Sequence, residues 1–136
     1  MHGLKGERVL MRVHIGERDK YKGKPLYAAI VELLRRKGYA GATVYRGIMG
    51  FGASSTVHTD RIEVLSLDLP IVVEVVATEA ALQRALPDLD EMIDGGLITL
   101  EPVRVILYRP HDLPEDERWS HRIVGLHPDD GPASGS

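Results

Sequence analysis

The sequence contains no cysteine, only one tryptophan and one phenylalanine, and no excess of basic residues. Without cysteine the chain can form neither a disulfide nor a thiolate metal site. A formal net charge of −3 provides no basic surface for a nucleic acid, and so few aromatic side chains offer little to stack on bases. We therefore expect no nucleic-acid partner.

Long apolar runs are also missing. No stretch reaches the roughly 18 consecutive apolar residues of a membrane-spanning helix. The first residues also lack the basic and then apolar order of a signal peptide. These two absences predict a cytoplasmic protein.

Alternation of apolar and polar residues opens the fold. The segment RVLMRVHI, residues 8–15, has apolar side chains at every second position and predicts a strand with one buried face. Pro25 then predicts the start of a helix that Gly38 ends. A second strand is expected at 42–48, and a third, at 61–67, is expected to pair back onto it. The apolar face of this first helix is predicted to consist of Leu26, Ile30, Leu33 and Leu34.

The second half of the chain has the same order of elements. IVVEVVA, residues 71–77, predicts a strand, and Thr78 is a good N-cap for the helix that follows. Pro87 is expected to kink or split that helix, because it removes one backbone hydrogen bond. After a turn at 94–96, ITLEPVRVIL predicts the last strand, with a bulge or a sheet edge near Pro102. The inward residues of the second helix are predicted to be Leu82, Ala85, Leu86, Leu89 and Ile93.

The order of elements, β-α-β followed by β-α-β, predicts an α+β fold of the ferredoxin-like (βαββαβ) type, with an antiparallel sheet and both helices on one face. A chain of 136 residues is long enough for one such domain with its own core. We assign residues 1–108 to this domain. Residues 109–136, rich in Pro, Asp, His, Gly and Ser, are predicted to form a partly disordered C-terminal tail. An apolar island around Trp119 is expected to dock on its own domain, a neighbouring subunit or a partner.

One face of the predicted sheet has no helix to cover it. Arg12, His14 and Glu74 fall on this face, where Glu74 is expected to pair with Arg12 or His14. Such a face is too apolar to be left in water, so we expect another subunit of a homo-oligomer to cover it. Its apolar members are Leu10, Val72 and Val76.

Three glycines, Gly47, Gly50 and Gly52, follow the second predicted strand. Their spacing, GxxGxG, differs from the dinucleotide fingerprint, and the residues that follow do not predict a helix. No Gly-Lys-Ser/Thr follows, so the segment is not a P-loop. From the residues alone it is either a ligand-binding loop or a flexible connection between two strands.

Four segments of the chain, in their order and spacing, resemble the PII-like family known as domain of unknown function 190. They are GERDKYKGKPLY, GATVYRGIMGFGASSTVHT, LSLDLPIVVEVV and LDEMIDGGLITLE, and they cover about residues 5–108. More distantly, the chain resembles the nitrogen-regulatory PII proteins. That resemblance implies a homotrimer that binds adenine nucleotides between subunits. It also implies signalling through a mobile T-loop to a membrane transporter or another protein.

The resemblance also implies a binding site. Gly50-Phe51-Gly52 resembles the Gly-Phe-Gly at the base of the T-loop, and Asp94-Gly95-Gly96-Leu97 resembles the turn that wraps phosphates. The lysine of that turn is replaced here by Gly96, and the Arg-Gln pair after Gly-Phe-Gly is replaced by Ala53-Ser54. With these cations missing, AMP or ADP is expected rather than ATP. The candidate nucleotide-binding residues are Arg46, Gly47, Gly50, Phe51, Gly52, His58, Gly95, Gly96 and Leu97, with Arg46 as the candidate cation.

A run of cations lies in the loop after the first strand: Arg18, Lys20, Lys22 and Lys24. Such a run is typical of a solvated turn. If the loop folds over the same cleft, these side chains would supply the missing positive charge.

Two other functions stay open. The chain could be a divalent-metal-binding trimer of the CutA type, or an enzyme that uses His58. However, the sequence has no Ser-His-Asp order and no HExxH motif, and a single histidine lacks the partners that zinc requires. We therefore expect a binding protein and not an enzyme, with no resident metal, no required cofactor and an adenine nucleotide as effector.

Overall fold

A four-stranded antiparallel sheet with two helices on one face forms the fold, as predicted. The computed structural model describes residues 6–52 and 68–109. The order of strands across the sheet is β4-β5-β1-β6, and β2 and β3 form a separate two-stranded hairpin. The elements in chain order are β1 (Gly6–Gly16), β2 (Lys20–Tyr21), β3 (Lys24–Pro25), α1 (Leu26–Arg36), β4 (Thr43–Arg46), β5 (Pro70–Ala77), α2 (Glu79–Met92) and β6 (Leu97–Val105).

The two central strands, β1 and β5, contribute most of the buried side chains of the sheet. They pair antiparallel, with Met11 opposite Val75 and Val13 opposite Val73. All four side chains are buried against the helices, and the alternate residues of both strands are more exposed. The period-two pattern therefore predicted both the strands and the face that each one buries.

Helix α1 follows Pro25 directly and ends at Arg36. Its buried side chains include the four that were predicted, together with Ala29. Gly38, with a φ of +86°, adopts the left-handed conformation that ends the helix. Beyond it, the Tyr39 hydroxyl donates a hydrogen bond to the Ala81 carbonyl and so ties the end of α1 to α2.

Helix α2 is capped as predicted, because the Thr78 hydroxyl oxygen accepts a hydrogen bond from the Ala81 N–H at 3.2 Å. The expectation that Pro87 splits the helix is wrong, since α2 runs unbroken from Glu79 to Met92. Proline removes only the bond to the Gln83 carbonyl, and both residues lie on the exposed side of the helix. Water can therefore satisfy that carbonyl.

The outer strands differ in detail from the predictions. β4 is shorter than the expected 42–48 and ends at Arg46. The Gly47 N–H still donates to the Pro70 carbonyl at 2.7 Å in the same register, but Pro70 has no N–H with which to return a bond. β6 lies at a sheet edge, where Pro102 is tolerated. Its register against β1 is continuous from His14–Leu97 to Gly6–Val105, so there is no bulge.

The hairpin of β2 and β3 was not predicted. Lys20 pairs with Pro25 and Tyr21 with Lys24 across a two-residue turn. Both turn residues have positive φ, +49° at Lys22 and +81° at Gly23, as a type I′ turn requires. The expected strand at 61–67, His58 and the tail beyond Arg109 lie outside the described residues.

Candidate functional site

A cleft of about 440 Å³ opens at the end of β1. One wall is the Gly95-Gly96 turn before β6, and the other is Phe51-Gly52, which follows β4. These two segments are more than 40 residues apart in the sequence, and the fold brings them together. The lining residues are His14, Ile15, Gly16, Phe51, Gly52, Asp68, Pro70, Gly95, Gly96 and Leu97.

The glycine run after β4 lies against the start of β5. A Cβ atom at Gly50, where φ is +149°, would lie 2.9 Å from the Pro70 Cγ atom. A Cβ atom at Gly47 would lie 3.4 Å from the same proline ring. Close packing on Pro70 and a positive φ explain Gly50, whereas a Cβ atom at Gly47 would make only an ordinary contact. Phe51 follows at the mouth of the cleft with 72% of its surface exposed.

Gly96 is required by packing. A Cβ atom at this position would lie 2.7 Å from the His14 carbonyl oxygen of β1. It would also lie 3.1 Å and 3.2 Å from the Cγ2 methyl groups of Ile93 and Ile15. No side chain fits here unless the backbone moves, so this protein cannot carry a lysine at Gly96 in the conformation described.

The described lining of the cleft includes no lysine or arginine. Its titratable side chains are His14 and Asp68. The Asp68 Oδ1 atom accepts a hydrogen bond from the Arg18 N–H at 3.1 Å. Beside it, the Asp19 Oδ2 atom accepts from the Gly16 N–H at 2.9 Å. The sequence analysis did not identify Asp68 as a site residue. It lies two residues before β5, between two predicted strands, and no motif marks it.

The candidate cation Arg46 is not in the lining of the cleft. Its Nε atom lies 3.0 Å from the Glu17 Oε2 atom, and its side chain is 62% exposed. This ion pair joins the end of β4 to the loop after β1. Any role of Arg46 toward a ligand stays a prediction.

The loop cations lie in and before the β2–β3 hairpin. The Lys24 Nζ atom lies 3.2 Å from the Glu32 Oε2 atom, and the Lys22 Nζ atom lies 5.3 Å from the centre of the Tyr21 ring. Lys22 and Lys24 line a different groove, between the hairpin and the two helices. Lys20 is exposed, and Arg18 approaches the cleft through its backbone N–H. Within one chain, the structure does not bring Lys22 and Lys24 to the cleft.

Comparison with known proteins identifies the family of this chain. A family model described as Uncharacterized ACR, DUF190, matches residues 8–105. The chain belongs to the DUF190 family. It is 38% identical over 97 residues to a UPF0166 protein of Methanocaldococcus jannaschii, an alignment that covers 71% of this chain and 89% of the relative. It is 35% identical over 100 residues to a UPF0166 protein of Aquifex aeolicus, covering 74% and 94%.

A solved structure shares the fold of this DUF190 protein. A putative PII-like signaling protein from Thermus thermophilus superposes with a TM-score of 0.52 and 20% sequence identity. The alignment covers 75% of this chain and 92% of that protein. The family resemblance and the PII-like fold are therefore confirmed. At this identity the likeness concerns the fold alone.

The sheet face of the DUF190 protein that its own helices leave uncovered carries a three-residue ion cluster. The Arg12 Nε atom lies 2.9 Å from the Glu74 Oε2 atom, and its Nη1 atom lies 2.8 Å from the Glu101 Oε1 atom. Hydrogen bonds to Glu74 and then to Glu101 raise the pKa of Arg12 above its ordinary value. The pairing of Arg12 with Glu74 was anticipated from the sequence, and that with Glu101 was not.

His14 lies on the uncovered face, as expected, opposite Val72 on one side and Leu97 on the other. It also lines the glycine cleft, so it connects the two surfaces. His14 therefore borders both the cleft and the uncovered face.

A second groove, of about 410 Å³, crosses the uncovered face. It runs from Leu10 and Val76 to Thr43, and Tyr108 closes one side. Burial raises the pKa of the Tyr108 hydroxyl. Sequence patterns could not place this tyrosine, because it follows the last strand in irregular backbone.

No group of three or more His, Asp or Glu side chains able to hold a metal occurs within residues 6–52 and 68–109. His58, the candidate for a metal site or for catalysis, lies outside these ranges. In the same ranges no helix has both the length and the apolarity to cross a bilayer.

Proposed function

We propose that this DUF190 protein is a PII-like regulatory protein that binds a small adenine nucleotide, AMP or ADP, in the glycine-lined cleft. The observation that supports this most is that Phe51-Gly52 and Gly95-Gly96 line the same cleft. These are the segments that resemble the two nucleotide-binding motifs of PII proteins. The two segments meet because the sheet topology and the turn before β6 place both of them at the same end of β1.

The preference for a small nucleotide follows from the charges of the cleft. A triphosphate carries about three to four negative charges, which proteins usually meet with lysine, arginine or a metal ion. Gly96 has no room for a side chain, and the described lining contains neither lysine nor arginine. Backbone amides at the Gly95-Gly96 turn can still cradle a single phosphate.

The uncovered sheet face supports assembly into a homo-oligomer, which we propose to be a trimer. It presents apolar side chains around the half-buried Arg12 and Glu74. A second copy of the chain would bury these side chains and extend the cleft through His14, which faces both surfaces. The nucleotide would then bind next to the junction of two subunits.

Signalling would proceed through a shift between loop conformations. Phe51 and Gly52 are the last described residues before a segment of 15 residues, 53–67, which reconnects at Asp68. A ligand in the cleft contacts both ends of this connection, because Phe51 and Asp68 both line the site. Ligand binding would therefore favour one conformation of the glycine loop, Gly47–Gly52, over others, and a partner protein would read that conformation.

Isothermal titration calorimetry with AMP, ADP, ATP and cyclic AMP tests the proposal. Phe51→Ala should weaken AMP binding, since Phe51 lines the cleft, and its 72% exposure means that the fold should tolerate the change. Ile48→Ala is the matched control, because Ile48 belongs to the same loop, is 94% exposed and does not line the cleft. Absence of binding by all four nucleotides, or equal losses in the two variants, would contradict the proposal.

Titrations with zinc and copper, and an assay for nucleotide turnover, address the other functions. Tight metal binding without nucleotide binding would favour a trimer of the CutA type. Hydrolysis that depends on His58 would favour an enzyme. Neither has a specific supporting observation among the described residues.

A further inference from the structure

We propose that Asp68 acts as a charge filter in the cleft, so that the site binds a nucleoside monophosphate more tightly than a diphosphate, and a diphosphate more tightly than a triphosphate. This inference rests on the proposed nucleotide function and assigns its selectivity to a particular residue. It goes beyond the lack of cations, because a fixed negative charge in the lining repels additional phosphates.

The position of the Asp68 carboxylate is set by the loop after β1. Its Oδ1 atom accepts a hydrogen bond from the Arg18 N–H at 3.1 Å. Its two oxygens would lie only 2.9 Å and 3.2 Å from a Cβ atom at Gly16. The carboxylate therefore packs against bare backbone at Gly16, and both Asp68 and Gly16 line the cleft.

A second carboxylate reinforces the negative charge. The Asp19 Oδ2 atom accepts from the Gly16 N–H at 2.9 Å, and its Oδ1 atom would lie 3.3 Å from a Cβ atom at Gly16. Two carboxylates thus flank the same residue of the cleft wall. The nearby cation Arg46 is paired with Glu17 at 3.0 Å.

The size of the effect follows from Coulomb's law. For a phosphate charge about 6 Å from the carboxylate, the repulsion weakens binding by roughly threefold per charge in water and by up to about a hundredfold in a partly buried site. The cleft is open to water, so we expect the lower part of this range. Each step from AMP to ADP to ATP adds about one negative charge and should reduce affinity by a similar factor.

The experiment compares AMP, ADP and ATP binding to the full chain and to Asp68→Asn, by calorimetry at low ionic strength with EDTA. Asparagine keeps the shape of the side chain and an oxygen that can accept from the Arg18 N–H, so the fold is retained. We expect the affinity relative to that for AMP to rise about threefold for ADP and about ninefold for ATP, and both gains to shrink in high salt. Asp90→Asn is the control, because it removes the same charge from an exposed position of α2 outside the cleft lining.

The outcomes separate the two proposals. If AMP binds and the ratio of AMP to ATP affinity is equal in Asp68→Asn, Asp90→Asn and the unaltered chain, the charge filter is overturned and the nucleotide function stands. If added Mg²⁺ makes ATP binding depend on Asp68, the carboxylate holds a metal ion and the filter is again overturned. If none of the nucleotides binds to any of the proteins, both proposals fail together.

Discussion

Replacing Gly96 by alanine should destabilise the protein, although the substitution adds only one methyl group. In the described conformation that methyl carbon would lie 2.7 Å from the His14 carbonyl oxygen. Ordinary contacts of a Cβ atom begin near 3.4 Å, so the strand and the turn would have to separate by roughly half an ångström or more. The neighbour is backbone in the centre of the sheet and cannot rotate away.

Overpacking of this kind costs about 1–3 kcal/mol of the free energy of unfolding. For a folded region of about 100 residues, such a loss lowers the melting temperature by roughly 5–20 °C and the urea midpoint by about 1 M. Circular dichroism during thermal and urea unfolding measures both values. Protein concentration must be held constant, because assembly would also contribute to stability.

Gly41→Ala provides the matched control. Within residues 6–52 and 68–109, no atom beyond its chain neighbours lies within 4 Å of a Cβ atom built at Gly41, and its φ is not in the left-handed region. The same added methyl should therefore change the free energy of unfolding by no more than about 0.5 kcal/mol, or stabilise slightly through the unfolded chain. Equal melting temperatures for Gly96→Ala and Gly41→Ala would refute the reasoning, and with it the explanation for the missing lysine.

Three further predictions concern the framework of the site. Thr78→Ala should cost about 1 kcal/mol in urea unfolding, since the Ala81 N–H loses its acceptor, whereas Thr78→Ser should keep most of the stability. Burial raises the pKa of the Tyr39 hydroxyl above 10.0 in the folded protein. Its contribution to the free energy of unfolding is therefore complete below pH 10 and is lost as the pH rises through the folded pKa. The urea midpoint should accordingly fall above pH 10, and Tyr39→Phe should flatten that fall; an equal slope would show that Tyr39 is not responsible. Arg12→Met leaves Glu74 and Glu101 without their shared cation and should reduce the assembled fraction in light scattering, whereas exposed Arg35→Met should not.

The fold was predictable where one physical signal dominated. The alternation in β1 and β5 identified Met11, Val13, Val73 and Val75 as core residues, because period two and burial on one face admit a single register. The expected split at Pro87 was wrong for a physical reason. The rule that proline breaks a helix counts the lost hydrogen bond. It does not count the water that can bond to the Gln83 carbonyl on the exposed side of α2.

The site was predictable only in part. The two glycine segments were found through their resemblance to PII motifs, and the structure places both in one cleft. Asp68 and Glu101 could not have been chosen, since their contacts with Arg18 and Arg12 depend on pairing between distant strands. Glu101 reaches Arg12 across 89 positions of sequence, and no local pattern carries that information.

The position of β1 in the sheet has a consequence for synthesis. The first strand pairs with β5 and β6, which are the last two strands of the described chain to be made. Pro70 lies 54 positions after Gly16, so at roughly 5–20 residues per second a nascent β1 waits about 3–11 s for the first of its two described sheet partners. During that interval α1 is the described helix available to cover Met11, Val13 and Ile15, because α2 is made after β5. Slowing translation between β1 and β5 should therefore increase aggregation, whereas slowing it after β6 should not.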